Sequence, residues 1–270
     1  EQSDLPQAIF GTHGDNTKVV LSVANVEDCF YAPHVARYLT EKLKVPVIIL
    51  SDYMTSVSYK VFDKLQQSKI DDDIENIESF ILDRFFMNRL PKEIEMVKEN
   101  QSLPGEDDLM RRITGLNTGK AGKVQYTSES TATSHEIRNK KLIELKKVLK
   151  QPEIIGKPEN DILIICWGST RGTLVEAIEK MNEEGIKVSA LHFKMVYPLP
   201  LGLEKIFSKF KQIYSVELAY GNEHKAAPLT MMLRSEYLVD IKHLLATPTG
   251  RPIKPSDVVS KLKKFQGVPA

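Results

Sequence analysis

Six consecutive apolar residues, Ile162-Leu-Ile-Ile-Cys-Trp167, run directly into the turn Gly168-Ser-Thr-Arg-Gly172 and then a helical stripe of Leu174, Ala177, Ile178 and Met181. An unbroken apolar run of that length reads as a strand buried on both faces, and such strands belong to parallel sheets covered by helices. The rhythm continues: Lys187–Phe193 and Gln212–Leu218 read as strands, a short helix follows Tyr197-Pro-Leu-Pro200, a helix surrounds Ala226–Tyr237, and a last strand lies near Asp240–Leu245. Four parallel strands with helical crossovers make a doubly wound unit.

A second α/β pattern comes earlier. Val19–Ala24 reads as a buried strand and Asn25-Val-Glu-Asp28 as an N-cap with acids in the first turn. Ala32, Ala36, Leu39 and Leu43 form one helical face, and Pro33 within it predicts a kink or a later helix start. Val45–Leu50 is a continuous apolar strand, so Ser51-Asp52 falls at its carboxyl end, where open α/β sheets place ligands. Between the two patterns, Ile74, Ile77, Ile81 and Phe85 mark an amphipathic helix opened by Asp71-Asp72-Asp73. Thr127–Ser134 reads as a polar loop, and Glu136–Lys150 as a Lys-rich helix with Ile137, Leu142, Leu145 and Leu149 on one face. The whole middle stretch reads as a connecting arm.

The charges exclude some partners. Lys and Arg number 37 against 36 acids, a net +1, so no bulk field draws the chain to nucleic acid or an anionic membrane. The longest apolar runs are strand-length, far short of the roughly 20 residues of a bilayer span. The two cysteines, Cys29 and Cys166, sit in apolar contexts without a second Cys or His at ligand spacing, as buried reduced thiols of a cytoplasmic protein would. An iron–sulfur cubane takes about four thiolates, more than this chain carries. Glu1–Asp15 has no initiator Met or signal peptide, and its loop feeds a buried strand; the pattern predicts that a preceding part is missing.

Local motifs are few. Gly168–Gly172 lies between strand and helix; it reads as a tight turn with a Ser/Thr cap, or as a contact for an anion or a partner. Gly115-Leu-Asn-Thr-Gly119-Lys120-Ala121 is one residue short of a P-loop, and Ala121 stands where a magnesium-binding hydroxyl belongs. His13, flanked by Gly11-Thr12 and Gly14-Asp15, is a candidate acid/base or substrate contact.

Six motifs in order resemble the alpha subunit of the 2-oxoacid:ferredoxin oxidoreductases. They are Glu1-Gln-Ser-Asp-Leu5 with Gly11-x-His13-Gly14-Asp15, Val26–Phe30, Val45–Asp52, Ile113-Thr-Gly-Leu116, Tyr197–Pro200 with Val216-Glu-Leu-x-Tyr220, and Gly250-Arg-Pro-Ile-x-Pro255. The resemblance implies an α/β chain with an incomplete thiamine pyrimidine-type domain at 1–68 and a connecting arm at 69–158. A doubly wound transketolase C-terminal-like domain at 159–270, ending in a tail, completes it.

It also implies one subunit of a thiamine diphosphate-dependent enzyme that decarboxylates a 2-oxoacid such as pyruvate or 2-oxoglutarate. Coenzyme A takes the acyl group and ferredoxin the electrons. Thiamine diphosphate, Mg and a [4Fe-4S] cluster serve the complete enzyme, with the cluster on a beta subunit. The family's Tyr-Pro-Ile-Thr-Pro substrate motif and activating Glu have no matching positions here and are expected upstream of Glu1. His13, Asn117 and Thr118 are left as substrate-side or gating candidates. Asn117-Thr118-Gly119-Lys120 departs from the family's usual Glu-His-Asp/Glu, and Asp15 replaces a Glu.

Two further expectations follow. The faces of Val19–Ala24 and Val45–Leu50 lack the neighbouring strands of an intact sheet, so the chain alone should not be a stable, active monomer. The other function class open to such a chain is a non-catalytic α/β interaction module that scaffolds a partner.

Overall fold

A computed structural model describes residues 2–62, 74–92, 115–119 and 123–267. Helix α1 (Leu5–Phe10) precedes β1 (Val19–Ser22), α2 (Val26–Leu43), β2 (Val47–Leu50), α3 (Tyr53–Val57) and α4 (Ile74–Asp83). The long α5 (Ser128–Val148) leads to β3 (Ile154–Ile155), β4 (Ile162–Trp167), α6 (Thr170–Glu183), β5 (Val188–Phe193) and β6 (Met195–Tyr197). Then follow α7 (Leu203–Phe207), β7 (Gln212–Glu217), α8 (Pro228–Tyr237), β8 (Lys242–Ala246) and α9 (Pro255–Gln266).

The chain is α/β, and its strands form two sheets, ordered β2-β1-β6 and β3-β5-β4-β7-β8. All four long strands of the second sheet pair in parallel, as the apolar runs require. Every residue of β4 and β5 is buried. A fifth strand, β3, adds antiparallel to β5 from within the expected arm. Its two residues are too short to stand out in a sequence.

The stripe Leu174, Ala177, Ile178 and Met181 is buried on α6, and Gly185 (φ 84°) closes the helix in the left-handed region. The C-terminal segment is more than a tail: Val258, Val259 and Leu262 of α9 join the core on the outer face of the second sheet.

A strand of three residues, β6, has the largest effect on the layout. After β5, Lys194 turns the chain and β6 crosses to the first sheet, pairing antiparallel with β1. Thus β1 is flanked by β2 and β6 and all four of its residues are buried. The expectation that β1 lacks neighbours is overturned. Its supplier lies some 170 residues on, beyond any local pattern. The edge strand β2 is only half-buried over Val47–Ile49, not buried on both faces as its apolar run suggested.

Alternating β1 residues face two cores. Val19 and Leu21 pack with α2, α4 and α5, whereas Val20 packs with Leu5, Trp167, Phe193 and Leu229 in a core shared by both sheets.

Two local expectations are corrected. Asn25 does cap α2, accepting from Asp28 N at 3.0 Å, so the helix starts there and runs on through Pro33. Proline removes only one donor, and burial of Ala32, Val35, Leu39 and Leu43 outweighs that loss. Residues 128–134 are helical rather than a loop: Thr127 accepts from Ser130 N at 3.1 Å, and Glu129 lies in the first turn. A good cap offsets the poor propensity of the Ser/Thr run. Asp71–Asp73 lie outside the described residues.

Candidate functional site

In the second sheet β4 has β5 on one side and β7 on the other. The crevice over its carboxyl end is therefore the topological switch point, the usual ligand place of open α/β sheets. Here the chain fills it with its own side chains. Gln2 is buried; its Nε2 donates to Trp167 O at 2.8 Å and its Oε1 accepts from Leu218 N at 2.9 Å.

Asp52, at the carboxyl end of β2, closes the other side. Its Oδ2 accepts from Ser169 N at 3.0 Å while its Oδ1 caps α3 through Thr55 N at 3.1 Å. The Gly168–Gly172 turn thus holds an anion, and that anion is a carboxylate 117 residues away. The Ser169 side chain makes no cap bond.

Gly168 is required twice over: its φ is 65°, and a Cβ would stand 2.5 Å from Gln2 Nε2 and 3.1 Å from Asp52 Oδ2. Gly168→Ala is expected to cost about 1–3 kcal/mol, the usual penalty of a left-handed non-glycine residue with little room. Urea unfolding of the two proteins tests this, and superimposable transitions would contradict it.

Where the sheets meet there is also a buried charge cluster. Asp28 is fully buried. It accepts from Ala24 N at 3.1 Å, from Lys194 Nζ at 2.9–3.0 Å and from Arg84 at 3.3 Å. Burial pushes the Lys194 ammonium below its ordinary range, against the pull of Asp28. Arg84 also pairs with Glu27 at 3.0 Å and lies 4.6 Å over the Tyr31 ring. In the sequence Asp28 reads as an acid in the first turn of a helix; nothing local shows that Lys194 covers it.

Other buried polar groups are neutral or spent. Glu217 accepts from Leu229 N, Thr230 N and Thr230 Oγ1 at 2.7–3.0 Å, capping α8, and burial raises its pKa. His192 Nε2 lies 3.0 Å from Gly168 O, so this nitrogen carries the proton, because a carbonyl only accepts. Burial drives its pKa down to about 3. Burial also pushes the Cys166 thiol up to about 12, an inert group. Cys29, expected to be buried, is exposed on α2, with its thiol pKa raised chiefly by partial desolvation.

Two of the sequence candidates, His13 and Asn117, lie beside a different place, at the amino end of β1. A cleft of 550 Å³ opens between the 11–17 loop and α5, lined among others by Thr12, Gly14, Arg138, Leu142 and Tyr197. His13 sits exposed in that loop between two lining residues. Beneath it, the buried Lys18 donates to Thr12 Oγ1 at 2.9 Å. Asn117 reaches the cleft through Arg138: its Oδ1 accepts from the guanidinium at 3.2 Å and its Nδ2 donates to Thr131 Oγ1 at 3.3 Å. Arg138 Nε is buried with no partner among the described residues. Thr118 pairs its backbone with Val124. Ile113, Thr114 and 120–122 lie outside the described residues.

Among the described residues no three His, Cys, Asp or Glu side chains cluster to hold a metal, and no helix is long and apolar enough to cross a membrane.

Fold and site together define an α/β protein of two sheets locked through their carboxyl ends, with a polar cleft beside the arm. Residues 160–258 match the family described as pyruvate:ferredoxin oxidoreductase core domain II. Over 90% of its length the chain is 26% identical to the 2-oxoglutarate oxidoreductase subunit KorA of Mycobacterium tuberculosis, covering 36% of that protein. Over 97% it is 24% identical to the 2-oxoacid:ferredoxin oxidoreductase subunit alpha of Saccharolobus solfataricus, covering 41%.

A solved 2-oxoglutarate:ferredoxin oxidoreductase from Magnetococcus marinus, with 2-oxoglutarate, coenzyme A and succinyl-CoA bound, aligns with 98% of the chain. The TM-score is 0.75 at 26% identity, and 45% of that structure's chain is covered. The chain is thus similar over nearly its whole length to 2-oxoacid:ferredoxin oxidoreductase alpha subunits, and it spans less than half of each of these three proteins.

Proposed function

We propose that the chain is part of the alpha subunit of an enzyme that oxidatively decarboxylates a 2-oxoacid, pyruvate or 2-oxoglutarate, to the acyl-CoA and passes the electrons to ferredoxin. The observation that supports this most is the alignment of 98% of the chain, at a TM-score of 0.75, with one solved enzyme that has 2-oxoglutarate and coenzyme A bound. On this reading residues 1–68 are pyrimidine-side, 69–158 the arm and 159–270 the transketolase C-terminal-like domain, all in the cytoplasm.

The cofactors implied are thiamine diphosphate with Mg and a [4Fe-4S] cluster. The described residues do not fit the cluster: Cys166 is an inert buried thiol, Cys29 is exposed on α2, and no third ligand accompanies either. Nor do three His, Cys, Asp or Glu side chains gather among the described residues to cage the Mg. The reading assigns both to a beta partner subunit and assigns no catalytic residue to the chain. The test is assembly of the complete alpha subunit with its beta partner, followed by 2-oxoacid- and coenzyme A-dependent dye reduction. No thiamine-dependent activity with any 2-oxoacid would overturn the proposal and favour a scaffold.

Within this reading His13 and the Ile113–Gly122 loop, with Asn117 and Thr118, line or gate the approach to the reaction. Loops of this kind close over a site and exclude water. His13→Ala and Asn117→Ala in the complete enzyme are each expected to lower kcat/KM for the oxoacid by up to about 100-fold, the cost of a misplacement near 1 Å. Melting temperature should hardly move, because His13 is exposed and Asn117 is bonded only within the loop and α5. Wild-type kinetics in both variants would refute the assignment.

A further inference from the structure

We infer that the trough between the β8–α9 loop and α9 is a binding site for a phosphate-bearing nucleotide. It is an open trough of about 780 Å³, within the size range of small-molecule sites. It opens after the carboxyl end of edge strand β8. Ligands of open sheets gather at these ends, and the switch point itself is closed here by Gln2 and Asp52.

Charge marks the trough out. Arg251, Lys254, Lys261 and Lys264 line it, in a chain whose net charge is only +1. Lys261 and Lys264 lie three residues apart on α9, away from the buried Val258, Val259 and Leu262, and Lys254 stands at its N-cap. Their neighbour Lys263 is tied to Glu184 at 2.7 Å. Among the described residues, none of the four lining cations has a carboxylate at ion-pair distance. The one acid in the lining, Asp257, is spent on the backbone N–H of Lys254 at 3.1 Å.

The remaining lining explains why the ligand is a nucleotide rather than a bare anion. Leu245, Pro252 and Ile253 supply an apolar floor that suits a base, and the hydroxyls of Thr247 and Ser260 supply partners for a sugar. The loop is held in shape from behind by Thr173 Oγ1, which donates to Ile253 O at 2.9 Å.

Calorimetric titration of the full-length protein at low ionic strength with ADP, adenosine, pyrophosphate and a polyglutamate peptide tests this. ADP should bind, adenosine should not, and Arg251→Gln with Lys264→Gln should weaken ADP at least tenfold while leaving the melting temperature in place. Both residues are exposed, so folding is not at stake, and Lys261→Gln serves as an independent second variant. No ADP binding, or ADP binding unchanged in the variants, overturns the proposal. Pyrophosphate binding as tightly as ADP overturns the nucleotide in favour of a simple anion, and tighter peptide binding overturns it in favour of an acidic protein surface.

Discussion

Replacing Asp28 with alanine is expected to lower the unfolding free energy by about 3–5 kcal/mol, the cost of breaking a buried ion pair by removing one partner. The carboxylate is fully buried and serves Ala24 N, Lys194 and Arg84 together. Its loss strands the Lys194 ammonium, whose side chain is only 10% exposed, beside Phe85 and Phe86.

The double replacement Asp28→Ala with Lys194→Met should recover part of the loss, since removing both charges leaves no unpaired ion. Glu27→Ala, next along the helix, should cost only about 1 kcal/mol or less, because its partners Lys60 and Arg84 are both partly solvated and Arg84 keeps Asp28 as a partner. Denaturant unfolding of the four proteins decides the matter. A loss in Asp28→Ala no greater than in Glu27→Ala would show that the cluster is not a lock.

The second large effect is one of pH. His192 is neutral and buried, with a pKa of about 3 against an ordinary 6.5. Below pH 6.5 the unfolded chain takes up a proton that the folded chain refuses. The stability that His192 contributes is therefore whole above pH 6.5 and is lost as pH falls toward 3. Glu217, whose pKa is raised by burial, pulls the opposite way: the folded form keeps its proton to higher pH, and stability falls as pH rises above its unfolded value.

The informative comparison is with His192→Gln, which still donates to Gly168 O and never charges. Relative to that variant, wild type should lose about 1.4 kcal/mol per pH unit below 6.5, roughly 4 kcal/mol by pH 3.5. Parallel stability curves across that window would contradict the assignment of a neutral buried imidazole.

Much of the second sheet was legible, because strands buried on both faces leave unbroken apolar runs and their helices leave stripes such as Leu174, Ala177, Ile178 and Met181. What stayed hidden has one physical character: contacts between residues far apart in sequence, each locally unremarkable. Met195–Tyr197 is too short to carry a period. Asp52 reads as the end of its own strand, although its carboxylate also meets Ser169. Gln2 lies in a segment read for its family likeness, although its amide bridges Trp167 and Leu218. At the cleft, His13 and Asn117 could be named from glycine-bearing loops. Arg138, which joins Asn117 to that cleft, looked like one more cation on a Lys-rich helix.

The crossing of β6 bears on how the molecule comes into being. Ser22 Oγ bonds Phe193 O, 171 positions downstream, and β1 receives its second strand neighbour there. Emerging from the ribosome at about 5–20 residues per second, β1 waits roughly 9–35 seconds with one edge bare. Throughout that interval the growing chain is exposed to wrong edge pairing. Nascent chains halted before Met195 should therefore be captured by chaperones or aggregate, and protease resistance of β1 should appear only in chains long enough to expose β6 and the core partners that follow it.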